Sequence, residues 1–196
     1  MRPTALDATL FEQARAQQPA AFRKLFELYK TPVHNFVARM IGRHEDAEDV
    51  VQEVFVKLYH KLGTLREPRY FTTWLFSIAK NEAINYARKH RRKEMQSLEA
   101  ITPEGEESHA ALAHDDAPEA EHAMIARERE ELLQAALDAV PEVNRAAFIL
   151  GVLEEYSYKE VAEMLGCTEN NVKSRVFRAR AVISAKLKAY LKPNEI

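Results

Sequence analysis

Apolar residues recur every three or four positions along most of this chain, which is the spacing of an amphipathic α-helix. In the N-terminal half these stripes cover residues 22–40, 50–62 and 71–78, and a basic run at 88–93 follows the third stripe. Pro32 lies inside the first stripe and predicts a kink or a break, because proline removes a helical hydrogen bond. The pattern predicts a bundle of three or four helices with its own small core.

The C-terminal half shows several helix boundaries. A helix is expected around residues 120–140. Further on, Ser157 and Glu160 have the spacing of a capping box, which opens a short helix, and Gly166 ends that helix. Thr168 can then cap a long last helix. The chain has only 5 glycines, and its valines and isoleucines do not alternate with polar residues as strands require, so we predict an all-α fold.

The charge is distributed unevenly, although the whole chain has a formal net charge of only −2. Residues 1–94 carry 17 basic and 11 acidic side chains, residues 95–125 carry 8 acidic and no basic ones, and residues 126–196 carry 11 of each. The middle segment lacks a sustained apolar stripe, and structureless stretches beyond about 15 residues are uncommon inside a compact domain. We therefore predict two small helical domains, 1–94 and 126–196, joined by a flexible acidic linker over 95–125.

Composition excludes several classes of protein. A single cysteine, Cys167, rules out a disulfide framework and a multi-thiolate metal site and fits a reducing compartment. No apolar run approaches the roughly 20 residues that cross a bilayer, and the N-terminus lacks the apolar core of a secretory signal. The chain has no i, i+4 histidine pair, glycine-rich phosphate loop or nucleophile elbow. We expect a cytoplasmic protein that is not an enzyme and uses no metal or cofactor.

The two helices around Gly166 have the pattern of a helix-turn-helix. Ala162 allows a close helix crossing, Gly166 suits a turn with positive φ, and Val172 is an early apolar anchor of the second helix. Between Lys173 and Lys192 there are seven basic residues and no acidic one. Early residues of such a helix reach base edges in the major groove, while its cations contact phosphates. DNA binding is the favoured interpretation, and a structural helix hairpin is the alternative.

The third N-terminal helix has a second unusual face. It combines an aromatic ring, two amides and two cations: Trp74, Asn81, Asn85, Arg88 and Arg92. Amides read base edges, an indole stacks on an unstacked base, and cations contact phosphates, so this face is a candidate for nucleic-acid binding. The alternative is that Trp74 belongs to the core and that the amides are merely solvated.

Acidic residues crowd the start of the second helix, at Glu45, Asp46, Glu48, Asp49 and Glu53. The helix dipole favours negative charge there, so stabilisation of the helix end is a sufficient explanation. A protein-binding surface is the competing interpretation, and the pattern alone leaves both open.

Four segments closely resemble the bacterial extracytoplasmic-function (ECF) sigma factors, the two-domain group of the sigma-70 family: residues 46–55, 71–81, 157–162 and 172–180. The resemblance extends over nearly the whole chain, with the motifs in the family's order. It implies a promoter-specificity subunit of RNA polymerase that binds core polymerase and promoter DNA and has no catalysis of its own.

The resemblance also implies roles for individual residues. Docking on the clamp helices of core polymerase would use Asp49, Gln52 and Glu53. Recognition and melting of the minus-ten element would use Trp74, Asn81, Asn85, Arg88 and Arg92. Recognition of the minus-thirty-five element would use Asn171, Lys173, Ser174, Phe177 and Arg178.

Further partners follow from the same resemblance. It implies that the C-terminal domain docks on the polymerase flap, that an anti-sigma factor controls the protein, and that no stable homo-oligomer forms. The alternative is a stand-alone helix-turn-helix regulator whose N-terminal bundle is a dimerisation or sensing module. That alternative explains the last helix but not the face that carries Trp74, Asn81 and Asn85.

Overall fold

The computed structural model describes residues 6–100 and 118–191, and within these ranges every regular element is helical. The α-helices, in chain order, are α1 (Ala8–Arg15), α2 (Pro19–Ile41), α3 (His44–Lys61), α4 (Phe71–Ala100), α5 (Pro118–Asp138), α6 (Glu142–Phe148), α7 (Tyr158–Leu165) and α8 (Glu169–Leu191). Short 3₁₀ turns at Leu62–Thr64 and Pro68–Tyr70 connect α3 to α4, and a π turn at Ile149–Leu153 extends α6. The predicted all-α fold class is confirmed.

Helices α2, α3 and α4 bury the apolar stripes that predicted them. Phe36 of α2 is fully buried and meets Phe76 of α4 edge to face, with 5.6 Å between the ring centroids. Nearer the start of α2, Phe26 meets Phe55 of α3 in the same way at 4.7 Å. Each such ring pair stabilises the fold by about 0.5–1.5 kcal/mol beyond the contribution of its buried apolar area. Rings from three helices therefore hold the N-terminal bundle together.

The short helix α1 is an element that the sequence pattern did not reveal. Asp7 caps it by accepting a hydrogen bond from the backbone N–H of Leu10 at 3.1 Å. Its Phe11 is fully buried and contacts Phe71, the first residue of α4, edge to face at 6.3 Å. A helix of this length is not stable alone, so α1 owes its existence to the burial of Phe11 and Ala14 against the bundle.

Of the two outcomes predicted at Pro32, the break does not occur, because α2 continues from Pro19 to Ile41. Proline in a helix interior costs about 3 kcal/mol, because one hydrogen bond is lost and the ring crowds the preceding turn. Tyr29 and Val33 on either side are at most 1% exposed, and burial of one large apolar side chain contributes about 1.5–3 kcal/mol. Tertiary packing of the neighbouring residues therefore outweighs the local penalty.

The C-terminal domain begins its helix-turn-helix with the predicted capping box. The N–H of Glu160 donates to Oγ of Ser157 at 3.3 Å, and the N–H of Ser157 donates to the Glu160 carboxylate at 2.7 Å. Gly166 ends α7 with φ of +62°, a left-handed conformation that favours glycine. Ala162 and Val172 are both buried where α7 and α8 meet.

The two domains pack against each other rather than standing apart. Helix α4 contacts α7, and α2 contacts α5 and α6. Phe76 of α4 meets Tyr156, in the segment before α7, edge to face with 5.4 Å between ring centroids. Because both residues are buried, the apolar cores of the two domains are continuous. Domain–domain contact is thus part of this fold.

The segment predicted as a linker, 95–125, has helix at both of its ends. Helix α4 extends to Ala100, and α5 begins at Pro118. The acidic residues that lie between these two positions fall outside the described residues. The limits of the domains, 1–94 and 126–196, therefore stay a prediction.

Candidate nucleic-acid and protein interfaces

Helix α8 has one buried face and one exposed, basic face. Val172, Val176, Ala179 and Ile183 form the buried stripe, as their spacing predicts. Thr168 caps the helix by accepting a hydrogen bond from the N–H of Asn171 at 3.2 Å. The five residues predicted to contact the minus-thirty-five element are all exposed and lie in the first turns of α8: Asn171, Lys173, Ser174, Phe177 and Arg178.

Phe177 is the most exposed large apolar residue in the described part of the chain, at 75% of its surface. An exposed ring next to Lys173 and Arg178 has no packing role within the domain. Rings and methyl-bearing side chains contact the thymine methyl group in the major groove, while cations contact the phosphates beside it. The face therefore has the chemical composition of a major-groove reader.

Cys167 lies in the helix-turn-helix turn and is half-buried. A guanidinium N–H of Arg175 on α8 donates to its sulfur at 3.5 Å. This contact ties the turn to the second helix.

The unusual face of α4 divides into two parts in the structure. Asn81, Asn85, Arg88 and Arg92 are exposed, as predicted for a face that contacts nucleic acid. Trp74 is half-buried and packs against the core. One part of its ring therefore belongs to the core, and the other part is exposed on the face proposed for nucleic acid. The amides stand within one turn of each other on a rigid helix, which suits the reading of adjacent base edges.

A crevice of about 520 Å³ separates this part of α4 from the C-terminal domain. Asn81, Asn85 and Arg88 line the wall that α4 forms. Helices α6, α7 and α8 form the opposite wall, which is lined by Val143, Ala146, Leu165 and Arg175. The amides are thus solvated, but another domain of the same chain stands directly across from them.

Asp49, Gln52 and Glu53, the predicted polymerase-binding residues, are all exposed on α3. Spacings of three and four residues place them on adjacent ridges of one helix face. Val56, one turn beyond Gln52, is 45% exposed and extends the same face with an apolar side chain. An exposed apolar surface rimmed by polar side chains is typical of a protein interaction site.

An apolar groove of about 1010 Å³ runs beside this acidic face, between α2 and α3. The pattern of apolar positions does not reveal this groove, because Phe22 and Phe26 belong to the stripe that predicts the core face of α2. In the structure both rings are only half-buried, and their edges line the groove together with Phe55 and Tyr59. The exposed Val56, which lies outside the apolar stripe of α3, was the signal that could have revealed it.

Within residues 6–100 and 118–191, no cluster of three or more histidine, cysteine, aspartate and glutamate side chains has the arrangement of a metal site. Over the same ranges, no helix combines the length and the apolar character needed to span a membrane.

The chain matches two protein families over separate segments. Residues 25–93 match Sigma-70 region 2, and residues 130–183 match Sigma-70, region 4. It is similar to the ECF RNA polymerase sigma-E factor of Escherichia coli (strain K12), with 34% identity over 187 residues that cover 95% of this chain and 96% of that protein. The ECF RNA polymerase sigma-E factor of Haemophilus influenzae is 34% identical over 182 residues, which cover 92% of this chain and 95% of that protein.

Two solved structures resemble this fold. CnrH, in complex with the cytosolic domain of CnrY, superposes with a TM-score of 0.63 at 26% identity, over 92% of this chain and 96% of that one. The sigma factor RpoE from Bartonella quintana, in complex with the anti-sigma factor NepR, gives a TM-score of 0.62 at 27% identity, over 85% of this chain and 96% of that one.

Proposed function

The chain belongs to the ECF sigma factors of the sigma-70 family, and we propose that it binds core RNA polymerase and directs transcription initiation at its own set of promoters under the control of an anti-sigma factor. The N-terminal domain is region 2 and the C-terminal domain is region 4. The observation that carries the proposal is the pair of exposed amides on α4, because a regulator that binds only duplex operator has no use for a second base-reading face.

Core polymerase docks on α3 in this proposal. Asp49 and Glu53 supply negative charge for a basic partner surface, and Gln52 supplies both hydrogen-bond donors and acceptors. The groove beside them takes apolar side chains of the partner, which supports a contact of greater area than the charges alone. The flap of polymerase docks on the C-terminal domain.

The minus-ten element is read by α4. Asn81 and Asn85 bind the edges of bases, and Arg88 and Arg92 bind phosphates of the same strand. Trp74 stacks through the exposed part of its ring on a base that has left the duplex. Base edges used in pairing become available to amides only once the strands separate, so this face is suited to melted DNA.

The minus-thirty-five element is read by α8 in the major groove. Lys173 and Arg178 contact phosphates, while Asn171, Ser174 and Phe177 face the base edges. Since core polymerase and promoter DNA lie in the bacterial cytoplasm, we place the protein there as well.

Control by an anti-sigma factor is inferred from the relatives. RpoE of Bartonella quintana was solved with the anti-sigma factor NepR, and CnrH with the cytosolic domain of CnrY. A protein that masks the α3 face would block the proposed polymerase contact, and the apolar groove beside it offers such a protein an anchor.

The direct test mixes the purified chain with core polymerase. Co-elution on size exclusion, followed by start-site-specific transcripts from a genomic DNA library, is the expected result. Failure to form a complex with core, or binding to duplex operator in its absence, would instead favour a stand-alone regulator.

Joint replacement Asn81→Ala and Asn85→Ala should leave core binding intact and lower the rate of promoter opening at least about tenfold, since a good base contact contributes about 1–3 kcal/mol. Permanganate reactivity of the melted strand measures opening. Gln13→Ala, which removes an exposed amide from α1, is the matched control and should have no effect. If the double variant and the control open promoters at the same rate, α4 does not recognise bases.

Phe177→Ala should weaken holoenzyme binding to a promoter about tenfold through loss of an apolar base contact. Because 75% of the ring is exposed, the melting temperature should not change. Electrophoretic mobility shift on a selected promoter measures the affinity, and Tyr190→Ala, a 50% exposed ring at the far end of the same helix, is the control. A lowered melting temperature with unchanged affinity would assign Phe177 to folding rather than to DNA.

A further inference from the structure

A further cavity, of about 980 Å³, lies where the two domains meet. The end of α2 and helix α4 form one side of it, and the junction of α5 and α6 forms the other. Volumes of about 300–1,000 Å³ are typical of sites for small molecules. Among the described residues that line it, two are acidic and six are basic, and the basic ones are Arg43, Arg88, His90, Arg91, Arg92 and Arg145. Counting histidine as neutral, the lining has a formal charge of +3.

The two carboxylates of this cavity are already paired with arginines. Nη2 of Arg91 on α4 donates to the carboxylate of Glu142 on α6, across the domain boundary. Nη1 of Arg145 donates to the carboxylate of Asp138 at 2.9 Å. The described lining holds no third carboxylate, so its excess positive charge is available to an anion from solution.

Arg145 contributes positive charge to the cavity rather than spare hydrogen-bond donors. It is buried, and its guanidinium also donates to the carbonyls of Met40 at 2.9 Å, Asp138 at 2.8 Å and Val140 at 3.2 Å. Burial lowers the pKa of Arg145, Asp138 raises it, and the positive charge of Arg91 lowers it. Arg91 and Arg145 therefore repel each other, and an anion bound near both would relieve this repulsion.

Two aromatic rings of α4 also line the cavity. Tyr86 and His90 are half-buried, and their rings lie 4.3 Å apart between centroids with planes tilted by 31°. Burial and the nearby Asp46 raise the pKa of Tyr86 to about 12, so its hydroxyl stays protonated and adds no negative charge. Aromatic rings beside cations offer a nucleobase a surface for stacking.

Phosphate is the anion that such a cavity fits best. One guanidinium can donate two parallel hydrogen bonds to the oxygens of one phosphate. Arg88 and Arg92 lie one turn apart on α4, and Arg43 stands on a separate element as the N-cap of α3, so several phosphates can be bound at once. A DNA strand carries one charge per nucleotide along an extended backbone. An oligophosphate places its charges on adjacent phosphates, which suits a cavity bounded on two sides.

We propose that this cavity is a binding site for an oligophosphate, the chain of two or more phosphates that free nucleotides and inorganic polyphosphate carry, and that Arg43, Arg88, Arg91 and Arg92 hold it. Arg88 and Arg92 also belong to the face proposed for the minus-ten element, so the bound ligand competes with promoter DNA. This consequence rests on the proposed function, whereas the site itself rests on the residues that line the cavity.

The experiment measures oligophosphate binding to the full chain by isothermal titration calorimetry at physiological ionic strength. Tripolyphosphate is the probe, and orthophosphate is the reference. Tripolyphosphate should bind at least about tenfold more tightly, because its second and third phosphates reach further guanidiniums through charge-assisted hydrogen bonds.

Joint replacement Arg43→Gln and Arg91→Gln should lower the affinity for tripolyphosphate at least about tenfold, since it removes two of the proposed phosphate contacts. Both side chains are exposed, so the melting temperature without ligand should stay close to that of wild type. Arg127→Gln with Arg129→Gln is the matched control, because it removes the same charge from exposed positions of α5 outside the cavity.

A comparison of ATP with tripolyphosphate identifies the source of the oligophosphate. Tighter binding of ATP, with a loss of this difference in His90→Ala, would assign the site to a nucleotide whose base stacks on the rings of α4. Equal affinities, unchanged in His90→Ala, would assign it to an inorganic oligophosphate. Both results support the site.

Competition with DNA is measured separately, by permanganate reactivity of a promoter. Tripolyphosphate added to the chain before core polymerase should lower promoter opening by wild type more than by the variant with Arg43→Gln and Arg91→Gln. Equal inhibition of the two proteins would overturn the competition and leave the binding site standing.

The remaining outcomes separate the site from the proposed function. No binding of tripolyphosphate at millimolar concentration, or an equal loss of affinity in the cavity variant and the α5 control, would overturn the site even if the chain directs transcription. A cavity variant that binds tripolyphosphate like wild type but opens promoters more slowly would mean that these arginines contact the DNA backbone instead. Selective loss of tripolyphosphate binding in the cavity variant supports the site even if the chain fails to bind core polymerase.

Discussion

The combined replacement Gln52→Lys and Glu53→Lys should raise the dissociation constant for core polymerase at least about a hundredfold, since like charges facing each other across an interface cost several kcal/mol. Both side chains are exposed on α3, at the centre of the acidic face and beside the apolar groove. Because neither contributes to the core, the free energy of unfolding should stay within about 0.5 kcal/mol of wild type. Fluorescence anisotropy of the labelled chain, titrated with core, measures the affinity.

The control for this pair is Glu12→Lys, the same charge reversal at an exposed position of α1. If the change in net charge alone weakens binding to core polymerase, the control should bind more weakly as well. If a specific contact is lost, the control should bind like the wild type. If the pair and the control bind core equally well, the α3 face is not the polymerase site, and the acidic residues serve the helix dipole alone.

Arg145→Met should lower the free energy of unfolding by at least about 2 kcal/mol, because each buried carbonyl that loses its donor costs about 1–3 kcal/mol. The substitution leaves the carbonyls of Met40, Asp138 and Val140 without the donor they share, and it leaves the Asp138 carboxylate without its cation. Methionine fits the volume of the aliphatic stem but cannot donate. Urea unfolding followed by circular dichroism at a helix band measures the loss.

Arg127→Met is the comparison variant for this loss. Arg127 pairs with Glu131 one turn along α5 at 3.0 Å, and both side chains are well exposed, at 77% and 67%. Exposed pairs of this kind contribute about 0.3–0.5 kcal/mol. A loss at Arg145 no larger than at Arg127 would mean that the hydrogen bonds donated by Arg145 contribute nothing to stability.

The local elements of this fold could be read from the sequence because their causes are local. The capping box of Ser157 and Glu160 forms within four residues, and Gly166 ends α7 because only glycine adopts its φ without strain. The 3.6-residue period placed Val172 in the core and Phe177 on the surface of α8, and both are found there. Each of these outcomes depends on residues within one or two helical turns.

The features of the fold that the sequence pattern did not predict depend on contacts between distant segments. The spacing of residues holds no information about these contacts. Helix α1 forms because Phe11 has a site beneath α4, and α2 passes through Pro32 because its neighbours are buried. Phe22 and Phe26 follow the core period, yet their rings lie at the margin of α2 and line a groove. An apolar stripe predicts which face of a helix packs against the core, but it does not predict how much of that face the neighbouring helix covers.

The sequence by itself determined the fold class, the helix-turn-helix, the exposed amides of α4 and the acidic face of α3, because each follows from periodicity or from capping chemistry within one element. Only the tertiary structure decided that the domains close on each other. Arg145 in the sequence is one arginine among many, and its role exists because α2 ends where α5 and α6 meet. Burial and directional hydrogen bonds between distant segments carry no signature in residue spacing, and for this protein they fix how the two domains meet.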